Sequence, residues 1–312
     1  MLESFAFVFP GQGSQQVGML AELAMEHPIV KETFQEASVL LGYDLWELSQ
    51  KGPKERLDQT EFTQPALLVA GVAIFRFWES LGGEKPKMMA GHSLGEYIAL
   101  VCAEALTFKD AVLLVENRGR YMQEAVHPDE GAMGAIIGMD EAQVQTVCKR
   151  SEKGKIVKPA NLNCPDQVVI SGHTDAVDRA LALAKAEGAK IVIRISVSVP
   201  SHCPLMQPAA DRLAQDLKKI TISSPVVPII HNMDVTFHVE PEAIREALVQ
   251  QLVNPVRWIE TIQMMVKRGI KLFIECGPNN KLAGLNKRID PHTETLSLKT
   301  MNMISGIIRR LS

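Results

Sequence analysis

The 312-residue sequence contains no C-x-x-C pair, and its five cysteines (Cys102, Cys148, Cys164, Cys203 and Cys276) are odd in number and widely scattered. That usage argues against a disulfide framework and indicates no zinc site. Nor is there a run of about eighteen uninterrupted apolar residues, so no membrane span is expected. The start, Met1-Leu2-Glu3-Ser4 before a short apolar run, lacks the basic stretch and long apolar core of a secretory signal, and a cytoplasmic protein is the expectation. An excess of one charge is missing too. The 33 Lys and Arg are mixed with 36 Asp and Glu for a net charge of -3, which gives no electrostatic basis for a nucleic-acid or membrane partner. Repeats and low-complexity tracts are absent. What is present is 46% hydrophobic content in a chain long enough for one large domain, or a large domain with a smaller companion.

The stretch that organises the rest is Met89-Ala90-Gly91-His92-Ser93-Leu94-Gly95-Glu96. A short apolar run, Lys87 to Ala90, suits a buried strand, and Leu94, Ile98, Val101 and Ala105 recur at helical spacing after it. A serine between two glycines at a strand-to-helix turn is the pattern of a nucleophile elbow, in which the glycines permit a bend that pushes the hydroxyl out at the tip. The same residues would serve a tight βα loop, so the local pattern leaves catalysis and simple turn formation about equally open.

Phe5-Ala6-Phe7-Val8-Phe9 reads as a fully buried strand, stopped at Pro10-Gly11 and followed by an amphipathic helix from about Val17. The loop between them is not a dinucleotide fingerprint, because the third glycine position falls on Gln16, and no Walker lysine follows. A second helix is expected from about Thr63-Gln64-Pro65, with Pro65 in its first turn, to Gly82-Gly83. Gln64 could there point toward a site or simply lie on the surface. Thr107 to Asp110 is a capping-box variant opening a helix whose apolar stripe includes Leu114, Val115 and Met122. Arg118 falls on that stripe, whereas Arg120 does not. An inward arginine must meet an anion, either in a structural ion pair or in a substrate.

From Gly131 the pattern becomes strand (134–137), helix (140–150), strand (156–162), strand (167–171), helix (174–187) and strand (190–197). This β-α-β-β-α-β order is enough for a ferredoxin-like insert bounded by His127-Pro128 and Val199-Pro200. Asn161 and Asn163 are expected to shape its hairpin. Further strands are expected over 225–235 and 271–276, and His202 is expected to lead into a helix containing Met206, Ala210 and Leu213. Of eight histidines, His92 is a poor base for Ser93 because neighbours on an elbow point apart. His27 and His127 precede prolines and His292 sits in a polar turn; the pattern does not choose among the others.

Gly91-His92-Ser93-Leu94-Gly95-Glu96 and Pro10-Gly11-Gln12-Gly13-Ser14-Gln15, with Ser201-His202-Cys203, His231-Asn232-Met233-Asp234, Gln251-Leu252-Val253-Asn254-Pro255 and Glu275-Cys276-Gly277-Pro278, closely resemble the malonyl-CoA:acyl carrier protein transacylase family from end to end. The resemblance implies an α/β fold: an α/β-hydrolase-like catalytic domain with a mostly parallel sheet over residues 1–127 and 199–312, and a ferredoxin-like subdomain over 128–198. It implies Ser93 as nucleophile, His202 as its base, and the main-chain N–H groups of Gln12 and Leu94 as oxyanion hole. Arg118 would bind the substrate carboxylate, with Gln64 and Asn161 nearby, and the carbonyl of Gln251 would orient the histidine. Implied as well are malonyl-CoA as substrate, an acyl carrier protein bearing phosphopantetheine as partner, no metal or bound cofactor, and a monomer. Asn279-Asn280 departs from the pattern, where relatives often carry a small residue and a basic one. Arg288, Arg309 and Arg310 could meet an acidic carrier. A lipase-type or patatin-like hydrolase would be expected to show an HGGG-like loop or an Asp-Gly partner, and neither occurs. A non-catalytic docking scaffold would need none of Ser93, His202 and Arg118.

Overall fold

The computed structural model describes residues 4–127, 129–195 and 199–311. The first half runs β1 (Phe5–Phe9), α1 (Ala21–Glu26), α2 (Pro28–Leu41), α3 (Leu45–Lys51), α4 (Lys54–Leu57), α5 (Thr60–Ser80), β2 (Met88–Gly91), α6 (Gly95–Cys102) and α7 (Phe108–Glu124). Then come β3 (Gly131–Ile137), α8 (Glu141–Ser151), β4 (Val157–Cys164), β5 (Gln167–His173), α9 (Thr174–Ala186) and β6 (Ile191–Ile195). The chain closes with α10 (Gln207–Leu217), β7 (Ile229–Ile230), α11 (Pro241–Gln251), α12 (Trp258–Lys267), β8 (Leu272–Glu275), α13 (Lys281–Ile289), β9 (Glu294–Ser297) and α14 (Met301–Leu311).

Two sheets result. A parallel sheet has the order β7-β2-β1-β8-β9, and an antiparallel one the order β4-β5-β3-β6. β1 lies at the centre of the first and is buried on both faces, as its unbroken apolar run requires. Phe5, Phe7 and Phe9 pack with α5, α6 and α7, while Ala6 and Val8 pack with α12 and α13 on the other side. α5 is apolar nearly all round and correspondingly buried along most of its length. Among the described residues no helix is long and apolar enough to cross a membrane.

Several boundaries differ from expectation for identifiable reasons. The helix expected from Val17 begins at Ala21, because Gly18 and Leu20 both take positive φ, +86° and +61°, and turn the chain first. α5 starts at Thr60, so Pro65 lies past the first turn. The carbonyl of Gln59 already accepts from the N–H groups of Phe62 and Thr63, and the proline forfeits one helical bond rather than opening the helix. The strand expected over 225–235 shrinks to Ile229–Ile230, since Pro225 and Pro228 have no N–H for a ladder and residues 232–234 turn. The six elements expected over 134–197 appear in their order, each shifted by a few residues at most. The expected end of the last strand at Val197, and the boundary residues Pro128 and Ser198, lie outside the described residues.

Candidate active site

β2 ends at Gly91, α6 begins at Gly95, and Ser93 between them takes φ +54°, a left-handed conformation that costs a residue with a side chain roughly 1–2 kcal/mol. The tightness of the turn explains its glycines. A Cβ on Gly91 would stand 1.8 Å from the carbonyl carbon of Gly95, and one on Gly95 would stand 2.1 Å from the carbonyl oxygen of Phe9. The strained backbone is held from outside the motif. Asn232 accepts from the Ser93 N–H through Oδ1 at 2.7 Å and donates through Nδ2 to the Gly91 carbonyl at 2.6 Å.

His202 reaches the elbow from the turn before α10, not from the helix itself, and also has positive φ, +61°. Its Nε2 is 2.7 Å from Ser93 Oγ, and its Nδ1 is 2.8 Å from the main-chain oxygen of Gln251. A carbonyl only accepts, so Nδ1 carries the proton and Nε2 presents a lone pair to the hydroxyl. Burial first, and then the positive charge of Arg118, push the imidazole pKa down to about 3 against the opposing pull of the Gln251 carbonyl. His202 is therefore neutral near pH 7. His92, by contrast, turns away from Ser93 and meets Asn163 Oδ1 at 2.8 Å through Nε2.

Arg118 is 1% exposed on α7. Gln64 Oε1 accepts from Nη1 at 2.7 Å, Gln251 Oε1 accepts from Nη2 at 3.0 Å, and Nη2 lies 3.4 Å from Ser93 Oγ. The guanidinium also stands over the Tyr97 ring, and its Nε has no hydrogen-bond partner among the described residues. α7 approaches α5 closely at Gly119, where a Cβ would be 2.6 Å from the Thr60 carbonyl oxygen. Two amide oxygens thus fix the guanidinium while leaving some of its five N–H groups for an anion.

These groups open onto a cavity of about 640 Å³ between the two sheets. Ser93, His202 and Arg118 line it, as do Gln12, Leu94 and Asn161. Among the described residues no acceptor takes the main-chain N–H of Gln12 or Leu94. Gln64 does not line the cavity; it stands behind Arg118. Asn161 and Asn163 do not shape the hairpin as expected. Both lie within β4, buried, and line the cavity. The departure at Asn279 has a local role: its Nδ2 donates to the Ser14 carbonyl at 2.8 Å, tying the start of α13 to the loop after β1.

Sequence reasoning missed Glu96, Asn232 and His231 as site-supporting residues. Glu96 had a readable signal, since it is a lone acidic residue in the otherwise apolar α6, and a buried carboxylate must be paired.

The description "acyl transferase domain" belongs to a family that matches residues 6–304. The malonyl CoA-acyl carrier protein transacylase of Escherichia coli (strain K12) is 54% identical over 310 residues, covering 99% of each chain. Its Bacillus subtilis (strain 168) counterpart is 45% identical over 312 residues, covering 99% of this chain and 98% of the relative. Among solved structures, the malonyl CoA-acyl carrier protein transacylase from Coxiella burnetii superposes with a TM-score of 0.99 at 67% identity, covering 100% of this chain and 98% of that one. A malonyl-transacylase solved in complex with its type II PKS acyl-carrier protein gives 0.97 at 51% identity, covering 98% and 99%.

Proposed function

We propose, for a chain that belongs to the acyl transferase domain family and within it to the malonyl CoA-acyl carrier protein transacylases, that Ser93 carries the malonyl group between two thiols. The enzyme transfers malonyl from malonyl-CoA to an acyl carrier protein, supplying extender units for fatty acid biosynthesis. The observation that carries the role of Ser93 is its 2.7 Å contact with a histidine whose other nitrogen is committed to a carbonyl.

In this reading His202 Nε2 takes the Ser93 proton as the oxygen attacks the thioester carbonyl. The N–H groups of Gln12 and Leu94 receive the developing oxyanion. His202 then returns the proton to the departing sulfur of coenzyme A. The phosphopantetheine thiol of the carrier enters, gives its proton to His202 and takes the malonyl group from Ser93, whose departing oxygen receives that proton back from His202. Arg118 holds the malonyl carboxylate throughout, with two parallel hydrogen bonds of a kind lysine does not make. Gln64 serves by holding Arg118, and Asn161 faces the bound acyl chain from β4. No bound cofactor or metal takes part.

The same reading divides the chain into a catalytic domain of the α/β-hydrolase type, residues 1–127 and 199–312, and a ferredoxin-like subdomain, residues 128–198. The antiparallel order β4-β5-β3-β6, with α8 and α9 between its strands, supports the latter. We read the enzyme as a cytoplasmic monomer; five free, buried thiols support a reducing compartment.

Incubation with malonyl-CoA alone tests the reaction class. A transacylase releases one equivalent of coenzyme A and stalls until holo carrier protein is added. Continuous release of malonate instead would make the enzyme a hydrolase.

A further inference from the structure

The carboxylate of Glu96 is fully buried one turn from Ser93, and two of the three residues it touches, Asn232 and Gln251, lead back to the reacting groups. Its Oε2 accepts from the Asn232 N–H at 3.0 Å and from Gln251 Nε2 at 2.8 Å, while Oε1 meets His231 Nδ1 at 2.7 Å. Asn232 is the residue that pins the strained elbow, through the Ser93 N–H and the Gly91 carbonyl. Gln251 holds Arg118 by its side chain and His202 by its main-chain oxygen, and its Nε2 also donates to the Ser93 carbonyl at 3.1 Å.

We infer that Glu96 is a positioning residue for acyl transfer, acting through two relays, Asn232 to the nucleophile and Gln251 to the base. This rests on the reading of Ser93 as the acylated residue. The physical case is one of orphaned donors. Without the carboxylate, the Asn232 N–H, one Gln251 N–H and His231 Nδ1 would all lose their acceptor in a site closed to water. Asn232 and Gln251 would then each lose the anchor that holds them from the side away from Ser93. Left-handed φ at position 93 is strained and Asn232 bonds both sides of it, so a loosened Asn232 lets the hydroxyl drift from His202 Nε2. A drift of about 1 Å in such a geometry costs up to roughly 100-fold in rate. His231 completes the arrangement: it is fully buried, and its Nδ1–H fixes the carboxylate from the side opposite Asn232 and Gln251.

The test is rapid-quench acylation of the full chain by malonyl-CoA and by acetyl-CoA, comparing the parent with Glu96→Ala, Asn232→Ala and Glu96→Gln. Glu96→Ala and Asn232→Ala are expected to slow the first-order acylation step by roughly 10- to 100-fold for both acyl groups. The KM for malonyl-CoA should stay within about threefold. Glu96→Gln should recover most of the rate, because an amide oxygen can still accept from Asn232 and Gln251 while its NH2 meets His231 in the other tautomer. A merely structural role would lower the burst amplitude, which counts folded molecules, and leave the rate constant of the burst untouched. Acylation by Glu96→Ala or Asn232→Ala within about twofold of the parent would overturn the inference, as would a Glu96→Gln variant no faster than Glu96→Ala. If Glu96→Ala does not fold, Asn232→Ala still tests the inference, since it cuts the leg from Asn232 to Ser93 without removing a buried charge, and a parent-like rate would overturn that relay. A parent that never becomes acylated on Ser93 would instead sink the acyl-serine reading, which distinguishes the two failures.

Discussion

Arg118 Nη2 stands 3.4 Å from the Ser93 hydroxyl, so the cation that would grip a carboxylate lies at the atom that would receive the acyl carbon. Only an acyl group with a short carboxylate arm can use both at once. Replacing Arg118 by Ala should therefore reduce malonyl transfer far more than acetyl transfer. Charge-assisted contacts of roughly 1.5 to 3 kcal/mol correspond to about a 10- to 150-fold change in the ratio of the two kcat/KM values. Steady-state kinetics with both substrates checks this, and an equal fall for both would remove the clamp assignment.

His202 provides a pH prediction with a definite sign. Burial, reinforced by Arg118, holds its pKa at about 3, so the imidazole stays neutral as pH falls through its ordinary range. The kcat/KM for malonyl-CoA should stay flat from pH 8 to about 5, without a limb near 6.5. Removing the guanidinium in Arg118→Ala takes away one of the causes of the depression. Its acid limb, followed with acetyl-CoA, should move upward. A parent limb near 6.5, or a limb that moves downward in the variant, contradicts the electrostatic account.

The elbow glycines make a stability prediction that is independent of catalysis. In Gly95→Ala the new methyl would lie 2.1 Å from the Phe9 carbonyl oxygen, a backbone atom at the end of β1 that cannot swing aside. We expect a loss of more than about 4 kcal/mol or failure to accumulate as folded protein. Urea unfolding within about 1 kcal/mol of the parent would show that the turn is looser than the geometry requires.

Ser93 itself stores strain. Both Ser93→Ala and Ser93→Gly remove the hydroxyl, but only glycine accepts φ +54° without a Cβ penalty. The glycine variant should be the more stable of the two by about 1 kcal/mol, even after the extra entropy of its unfolded chain. Thermal or denaturant melts of the pair decide, and an alanine variant as stable as the glycine one would contradict the strain.

How much of this was legible from the chain alone varies with the distance each contact spans. β1 was readable to the residue, because five apolar residues end at Pro10-Gly11, and the burial of Arg118 followed from the 3.6-residue stripe of α7. Ser93 at an elbow was local information. The partner of Ser93 was not, since His202 lies 109 residues away and is delivered by a turn that periodicity does not describe. Only the family resemblance singled it out. Gln251 is similar: its helix ends beside the site, and nothing in its local pattern says that its carbonyl is free to accept from a histidine. The strand expected over 225–235 is cut to two residues because Pro225 and Pro228 offer no N–H to a ladder. Asn161 and Asn163 stand next to Cys164-Pro165, which suggests hairpin residues; the sheet instead aims both into the cavity.

The central claim is that the Ser93 oxygen becomes esterified, and intact mass spectrometry with peptide mapping measures that directly. After brief exposure to malonyl-CoA without acceptor, the parent should gain the mass of one malonyl group on the peptide containing Ser93, lose it on addition of holo carrier protein, and show no gain as Ser93→Ala. An unmodified parent, or a Ser93→Ala variant labelled to the same extent, would contradict the account.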